Sequence, residues 1–142
     1  MREILFRGKK ISNGEWAYGY YTKGYFNPET PELLDMIYQF DKTPNGWDFK
    51  FCIVDPETVG QFTGMTDKNG KNIFEGDVMC CDNVKGYVVY SIQRCCFLFR
   101  WKKFDRFRTD FFKDCRLTDY GRFCDLEIIG NIHDNPELLG IE

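Results

Sequence analysis

Residues 63–77, TGMTDKNGKNIFEGD, place five oxygen-bearing side chains close together: Asp67, Asn69, Asn72, Glu75 and Asp77. Two chemistries need oxygens or glycines at such density. A calcium loop of the EF-hand kind takes oxygens at positions 1, 3 and 5, glycine at 6 and glutamate at 12. Counted from Asp67, position 3 is Asn69, but position 5 is Lys71 and position 6 is Asn72, and Lys68 and Lys71 oppose a cation. A phosphate loop needs GxxxxGK[ST], and neither the spacing from Gly64 to Gly70 nor a closing Ser or Thr is present. A hairpin turn at Asn69-Gly70 with exposed charges beside it accounts for the same residues without exceptions.

Other reactive side chains form no complete set. Glu75 and Asp77 flank Gly76, and on a strand they would share a face, as a general acid and base do. The alternative is a bulge or strand start in which Asp77 accepts backbone hydrogen bonds. His133 is the single histidine, and nothing selects a cysteine to partner it as a nucleophile, which leaves a surface or capping role. The seven cysteines are Cys52, Cys80, Cys81, Cys95, Cys96, Cys115 and Cys124. No CxxC occurs, and adjacent cysteines on a strand point to opposite faces, so each pair offers one sulfur to any one site. Small apolar side chains packed on strands are the simpler reading, with a thiolate site assembled across strands as the alternative. No metal, no cofactor and no enzymatic activity are expected.

The best functional candidate is the run RWKKFDRFR at residues 100–108, where Arg100, Lys102, Lys103, Arg106 and Arg108 alternate with Trp101 and other rings. Cations for phosphates and flat rings for unstacked bases are what a single-stranded nucleic-acid surface uses. Residues 94–122 hold nine Lys/Arg against four Asp/Glu on a chain of net charge −3. The net charge argues against a dedicated nucleic-acid binder, so nucleic acid stands as the alternative partner. The competing reading is a strand and loop whose rings serve the core.

The elements that must carry these residues read as strands. The 142 residues suit one domain or two small ones. Aromatic residues make up 18% of the chain, with 14 Phe and 8 Tyr, whereas alanine occurs once, at Ala17, a balance that favours strands. Asn-Gly dipeptides at 13–14, 45–46 and 69–70 each predict a two-residue type I′ hairpin turn. Strands are expected over 4–11, 15–21, 47–54, 58–65, 73–81 and 126–132. Residues 32–40 fit either a two-turn helix or an extended segment. From Tyr87 to Trp101 the pattern is strongly strand-like, with a hairpin near Ser91. Cys95, Phe97, Phe99 and Trp101 would lie on a core face, and Cys96, Leu98, Arg100 and Lys102, cationic at its end, on one that reaches solvent. Phe104, Phe107, Phe111 and Phe112 have helix-like spacing in residue types that form helices poorly. Asn135-Pro136-Glu137 predicts an N-cap and one helical turn.

The opening MREILFRGKK has Glu3 and only a three-residue apolar run, unlike an export signal, and no stretch approaches a membrane span. A cytoplasmic location with reduced thiols and no membrane contact is the expectation.

Three stretches resemble the YopX family of phage and prophage proteins. They are REILFRGK (2–9) with GEWAYG (14–19); PETVGQFTG (56–64) with DKNGK (67–71) and IFEGD (73–77); and EIIGNI (127–132) with NPELL (135–139). The resemblance spans the chain in order. It implies a mainly β fold of antiparallel hairpins: an N-terminal β subdomain over 1–62, and over 63–142 a small SH3-like barrel that closes with residues 127–132. The family offers no catalytic residues to carry over. The resulting expectation is a non-enzymatic accessory protein acting through an unidentified protein partner or as a homo-oligomer, because the rings exceed what one small core needs.

Overall fold

A computed structural model describes residues 1–25, 27–29, 31–81, 83–104, 110–117 and 125–140, with backbone alone over 102–104 and 110–114. The fold is mainly β and antiparallel. The chain divides into two compact units, Met1–Phe62 and Thr63–Glu142. Among the described residues no helix is long and apolar enough to cross a membrane.

In the first unit, β1 (Phe6–Lys9), β2 (Trp16–Tyr25), β3 (Leu33–Thr43) and β4 (Gly46–Ile53) pair in the order β4-β3-β2-β1, and the start of β5 (Gly60–Thr66) joins β1. Residues 32–40 are therefore extended. The ladder to β2 takes Leu33–Tyr38 and the ladder to β4 takes Met36–Thr43, so every residue of β3 is paired on at least one side, which a two-turn helical spacing could not outweigh. The core is small: Ala17, Ile37 and Val54, with Phe6, Cys52 and Val59 packed around them. Its floor is latched at a short 3-10 helix, Pro56–Thr58. The Asp55 carboxylate accepts the Glu57 N–H at 3.0 Å, and the Thr58 hydroxyl accepts the Lys9 N–H at 2.8 Å.

In the second unit, β6 (Asn72–Phe74) follows the end of β5 in a hairpin, and β7 (Asp77–Cys81), β8 (Val84–Ser91), β9 (Cys96–Phe104), β10 (Asp110–Arg116) and β11 (Glu127–Asn131) make a sheet in the order β10-β9-β8-β7-β11. Its core gathers Ile73, Met79, Cys81, Val88, Phe99, Leu117 and Leu126. The order has two ends, β10 and β11, and no pairing closes it among the described residues, so the described strands form an open sheet and not a closed barrel. The stretch of phenylalanines with helix-like spacing belongs to strands at Phe104, Phe111 and Phe112, whereas Phe107 lies outside the described residues. Leu98 and Phe99 are both buried, which corrects the expectation that one face of β9 reaches solvent there. Cys95 is not part of the alternation. It sits in the β8–β9 turn at φ 51, and β9 begins one residue later.

The three Asn-Gly turns are hairpins of a different kind from those expected. Type I′ needs positive φ at both central residues, and only the glycines have it: Gly14 at 73, Gly46 at 131 and Gly70 at 80. At the second turn the partners are Thr43 and Gly46, so Pro44 and Asn45 are the central pair. Proline's fixed φ suits the first central position of an ordinary turn and sets the register one residue earlier. At the third, Gly70 N–H bonds Asp67 C=O at 3.0 Å and Asp67 N–H bonds Lys71 C=O at 2.8 Å, a three-residue loop with glycine in the left-handed position.

Asp67 holds this loop and ties it to the far end of the chain. Its buried carboxylate accepts the N–H of Asn69 and of Lys71, both at 2.9 Å, and that of Ile128 at 3.2 Å in β11. Burial pushes the carboxyl up, but the three N–H donors and the Lys71 charge outweigh it and hold it below its usual value. Asp67→Ala, which leaves three part-buried N–H groups without their acceptor, is expected to lower stability by about 2–4 kcal/mol, read from the urea midpoint. A depressed folded pKa stabilises above the unfolded value of about 3.9 and loses that contribution as pH falls through the folded value. Asp67→Asn should therefore be less stable than the parent at neutral pH, and the gap should close in acid.

Candidate interaction surface

The long strands β2, β3 and β4 have two faces, and the small core covers one. Ala17, Gly19 and Tyr21 on β2, Asp35 and Ile37 on β3, and Cys52 on β4 point to that side by strand alternation. The other side carries Tyr18 and Tyr20, then Tyr38 and Phe40, then Trp47, Phe49 and Phe51. Register places Tyr20 opposite Tyr38, Tyr38 opposite Phe51, and Phe40 opposite Phe49. Five of these rings touch in a connected set: Tyr20–Phe40 at 6.0 Å, Phe40–Phe49 at 5.1 Å, Tyr38–Phe49 at 5.3 Å, Tyr38–Phe51 at 5.9 Å and Phe49–Phe51 at 6.4 Å between centroids.

Cross-strand ring pairs of this kind stabilise a sheet and fix its register. They cover one another sideways but not from above. Tyr20 stays 59% exposed, Phe40 53%, Phe49 51% and Trp47 71%, so the face is a contiguous apolar patch in water. At its other end the same face is closed, where Met36 is 3% exposed. Close approach of β2 to β3 rests on Gly19, where a Cβ would lie 2.0 Å from the Tyr38 carbonyl oxygen. The sequence signalled a surplus of rings but not their address, because the surface depends on β3 being a strand.

The residues singled out from sequence are placed as follows. Arg100 and Trp101 lie half-buried on β9, and Trp101 stacks on Phe99 at 5.6 Å against the second unit's core. Lys102 and Lys103 continue β9 and pair with Phe112 and Phe111 of β10. Arg106 and Arg108 lie outside the described residues. Glu75 and Gly76 form the turn between β6 and β7, with Gly76 at φ 89. Asp77 opens β7 buried, its carboxylate accepting the Phe74 N–H at 2.8 Å. Burial pushes the Glu75 carboxyl up, against a backbone hydrogen bond at Tyr90. His133 stands in a turn arranged by Asn131, whose side-chain oxygen accepts the N–H of His133 at 3.0 Å and of Asp134 at 2.9 Å.

A 3-10 turn, Pro136–Leu139, follows Asn135, but Asn135 does not cap it through its side chain. That oxygen accepts the Asn131 N–H at 3.3 Å instead. Cys81 is buried in the core and Cys80, facing away, is half-buried, as alternation requires. Among the described residues no group of three His, Cys, Asp or Glu side chains is arranged to hold a metal. A depression of about 440 Å³ in the first unit is lined by Lys9, Lys10, Ile11, Gly14, Asp55 and Pro56, and its carboxylate is already engaged by Glu57 N–H.

The family model for YopX protein matches residues 5–140. The chain belongs to the YopX family. No curated protein matches it. Among solved structures it is similar to the crystal structure of protein EF1440 from Enterococcus faecalis, with 23% identity over 98% of this chain and 99% of that one and a TM-score of 0.55. At that identity the likeness speaks for the fold alone. In this YopX-family chain the ring face is thus a property read from its own residues.

Beneath the ring face, on the core side, the Tyr21 hydroxyl donates to Asp35 Oδ1 and its ring lies 5.5 Å from Phe6. Burial first, then the Asp35 hydrogen bond and charge, push the Tyr21 hydroxyl up to about 12. A raised folded pKa stabilises fully below the unfolded value of about 10, and that contribution is lost as pH rises through the folded value. An ultraviolet titration should show one tyrosine ionising later than the rest, absent in Tyr21→Phe. An unchanged titration in that variant would contradict the assignment.

Proposed function

We propose that this chain is a phage- or prophage-encoded accessory protein that acts without catalysis, through protein–protein contact or self-association. The observation that carries this reading is the exposed ring face of β2, β3 and β4. An apolar patch of touching aromatic side chains is costly to leave in water and is the usual substance of a binding hot spot. Two acidic groups that the sequence offered for chemistry, Asp67 for a cation loop and Asp77 for an acid–base pair, favour the same reading, since their carboxylates accept backbone N–H groups. A cytoplasmic setting belongs to the proposal. The alternative, a nucleic-acid module over Arg100, Trp101, Lys102, Lys103, Arg106 and Arg108, has less behind it, since the Trp101 ring stacks on Phe99 and packs on the core.

The test is site-specific photocrosslinking. A photoreactive phenylalanine analogue replaces Phe40 on the ring face and, as a control, exposed Lys85 of the second unit. Position 40 should give a discrete protein adduct, either with a second copy or with another protein of a bacterial lysate, and position 85 should not. No adduct from position 40, or equal adducts from both, would overturn the reading.

A further inference from the structure

The ring face ends at β4, the last strand in the order β4-β3-β2-β1. An end strand presents backbone groups to whatever lies beside it, and natural proteins guard such edges with charge, proline or bulges. On β4, Gly46–Ile53, the guards are one aspartate and one lysine, Asp48 and Lys50.

Which residues face the open side follows from the ladder. In an antiparallel pair, hydrogen-bonded and non-bonded partners alternate. Val54 N–H donates to Asp35 C=O at 3.0 Å, the continuation of the β3–β4 register in which Cys52 faces Ile37. Counting back two at a time, Cys52, Lys50 and Asp48 direct their backbone groups to β3. Phe51, Phe49 and Trp47 direct theirs outward. Ile53, in the outward phase, confirms it: its carbonyl accepts the Ile11 N–H at 3.1 Å. The loop after β1 thus closes the edge at Ile53, and no described strand lies beside Trp47 and Phe49.

We infer that a second copy of this chain occupies this edge, with the two β4 strands antiparallel about a two-fold axis at Phe49. This deepens the proposed function and rests on it. The inference comes from the order Trp47-Asp48-Phe49-Lys50-Phe51, which is self-complementary about its centre. With Phe49 opposite Phe49 of the second copy, Asp48 faces Lys50 of that copy and Lys50 faces its Asp48. Both ion pairs fall on one side of the sheet, beside the 3.5 Å Lys50–Asp48 contact within each chain. On the other side Trp47 comes opposite Phe51 of the second copy, and the two ring faces become one. The neighbouring registers that keep the same hydrogen-bonding phase are centred on Asp48 or on Lys50. They set aspartate against aspartate or lysine against lysine, which is unfavourable directly across a ladder. Charge therefore selects the Phe49-centred pairing. Isologous contact of this type uses the same β4 edge of both copies and closes a dimer.

The experiment is sedimentation equilibrium over a concentration series with three charge variants. The parent should approach twice the chain mass. Asp48→Lys and Lys50→Asp, each placing like charges across the two-fold, should each weaken association at least tenfold. The double variant with both changes restores opposite charges across the axis and should return to the parent's association, which a merely disrupted strand could not do. Circular dichroism confirms that each variant is folded. A parent that stays monomeric, singles that associate like the parent, or a double variant that fails to recover would each overturn the dimer. These outcomes are separable from failure of the functional reading. A monomeric parent whose position 40 still crosslinks to another protein removes only the β4 pairing, and loss of all adducts from position 40 removes the reading itself.

Discussion

A strand turns successive side chains to opposite faces, and the first unit has core enough for one face. That constraint decides most of what this chain presents to its surroundings. Ala17, Ile37 and Val54 with their neighbours occupy one side of β2, β3 and β4. The alternate positions must point away from it, and in this sequence they are tyrosine, phenylalanine and tryptophan. The hydrophobic effect would ordinarily draw such rings inward, but period-two geometry gives them no route there. They cover one another instead, as a ladder of ring contacts that stabilises the strands and leaves its outer surface in water.

The second unit solves its polar problem differently. Its hairpin between β5 and β6 and its last strand come from distant parts of the sequence, and a buried carboxylate joins them. Asp67 organises the loop through Asn69 and Lys71 and reaches Ile128. Asp77 does similar work at Phe74. Oxygens that looked available for a cation or for acid–base chemistry are thereby committed to backbone donors. An acidic residue near a turn often has this fate, since a carboxylate matches several converging N–H groups.

Much of the fold was legible in the residues. Aromatic and β-branched runs between Asn-Gly dipeptides located most strands, and the family resemblance at 2–9, 56–77 and 127–139 agrees with the match over 5–140. Turn geometry was not legible, because an Asn-Gly pair does not reveal which neighbour closes the ladder. Pro44 and Asp67, not the dipeptides alone, set the outcome. Nor was the state of residues 32–40 legible. Local spacing there fits two conformations, and the choice falls to hydrogen-bond ladders from strands on either side.

By itself the sequence determined the mainly β class, the family, the surplus of aromatic side chains and the rejection of the calcium and phosphate motifs. These depend on residue type and on spacing along the chain, which need no partner in space. Tertiary structure alone decided where the rings gather, which edge they reach, and which backbone N–H groups the Asp67 and Asp77 carboxylates accept. Each depends on which distant backbone groups come alongside, and a strand's neighbours are fixed by pairing across the sheet rather than by its own residues.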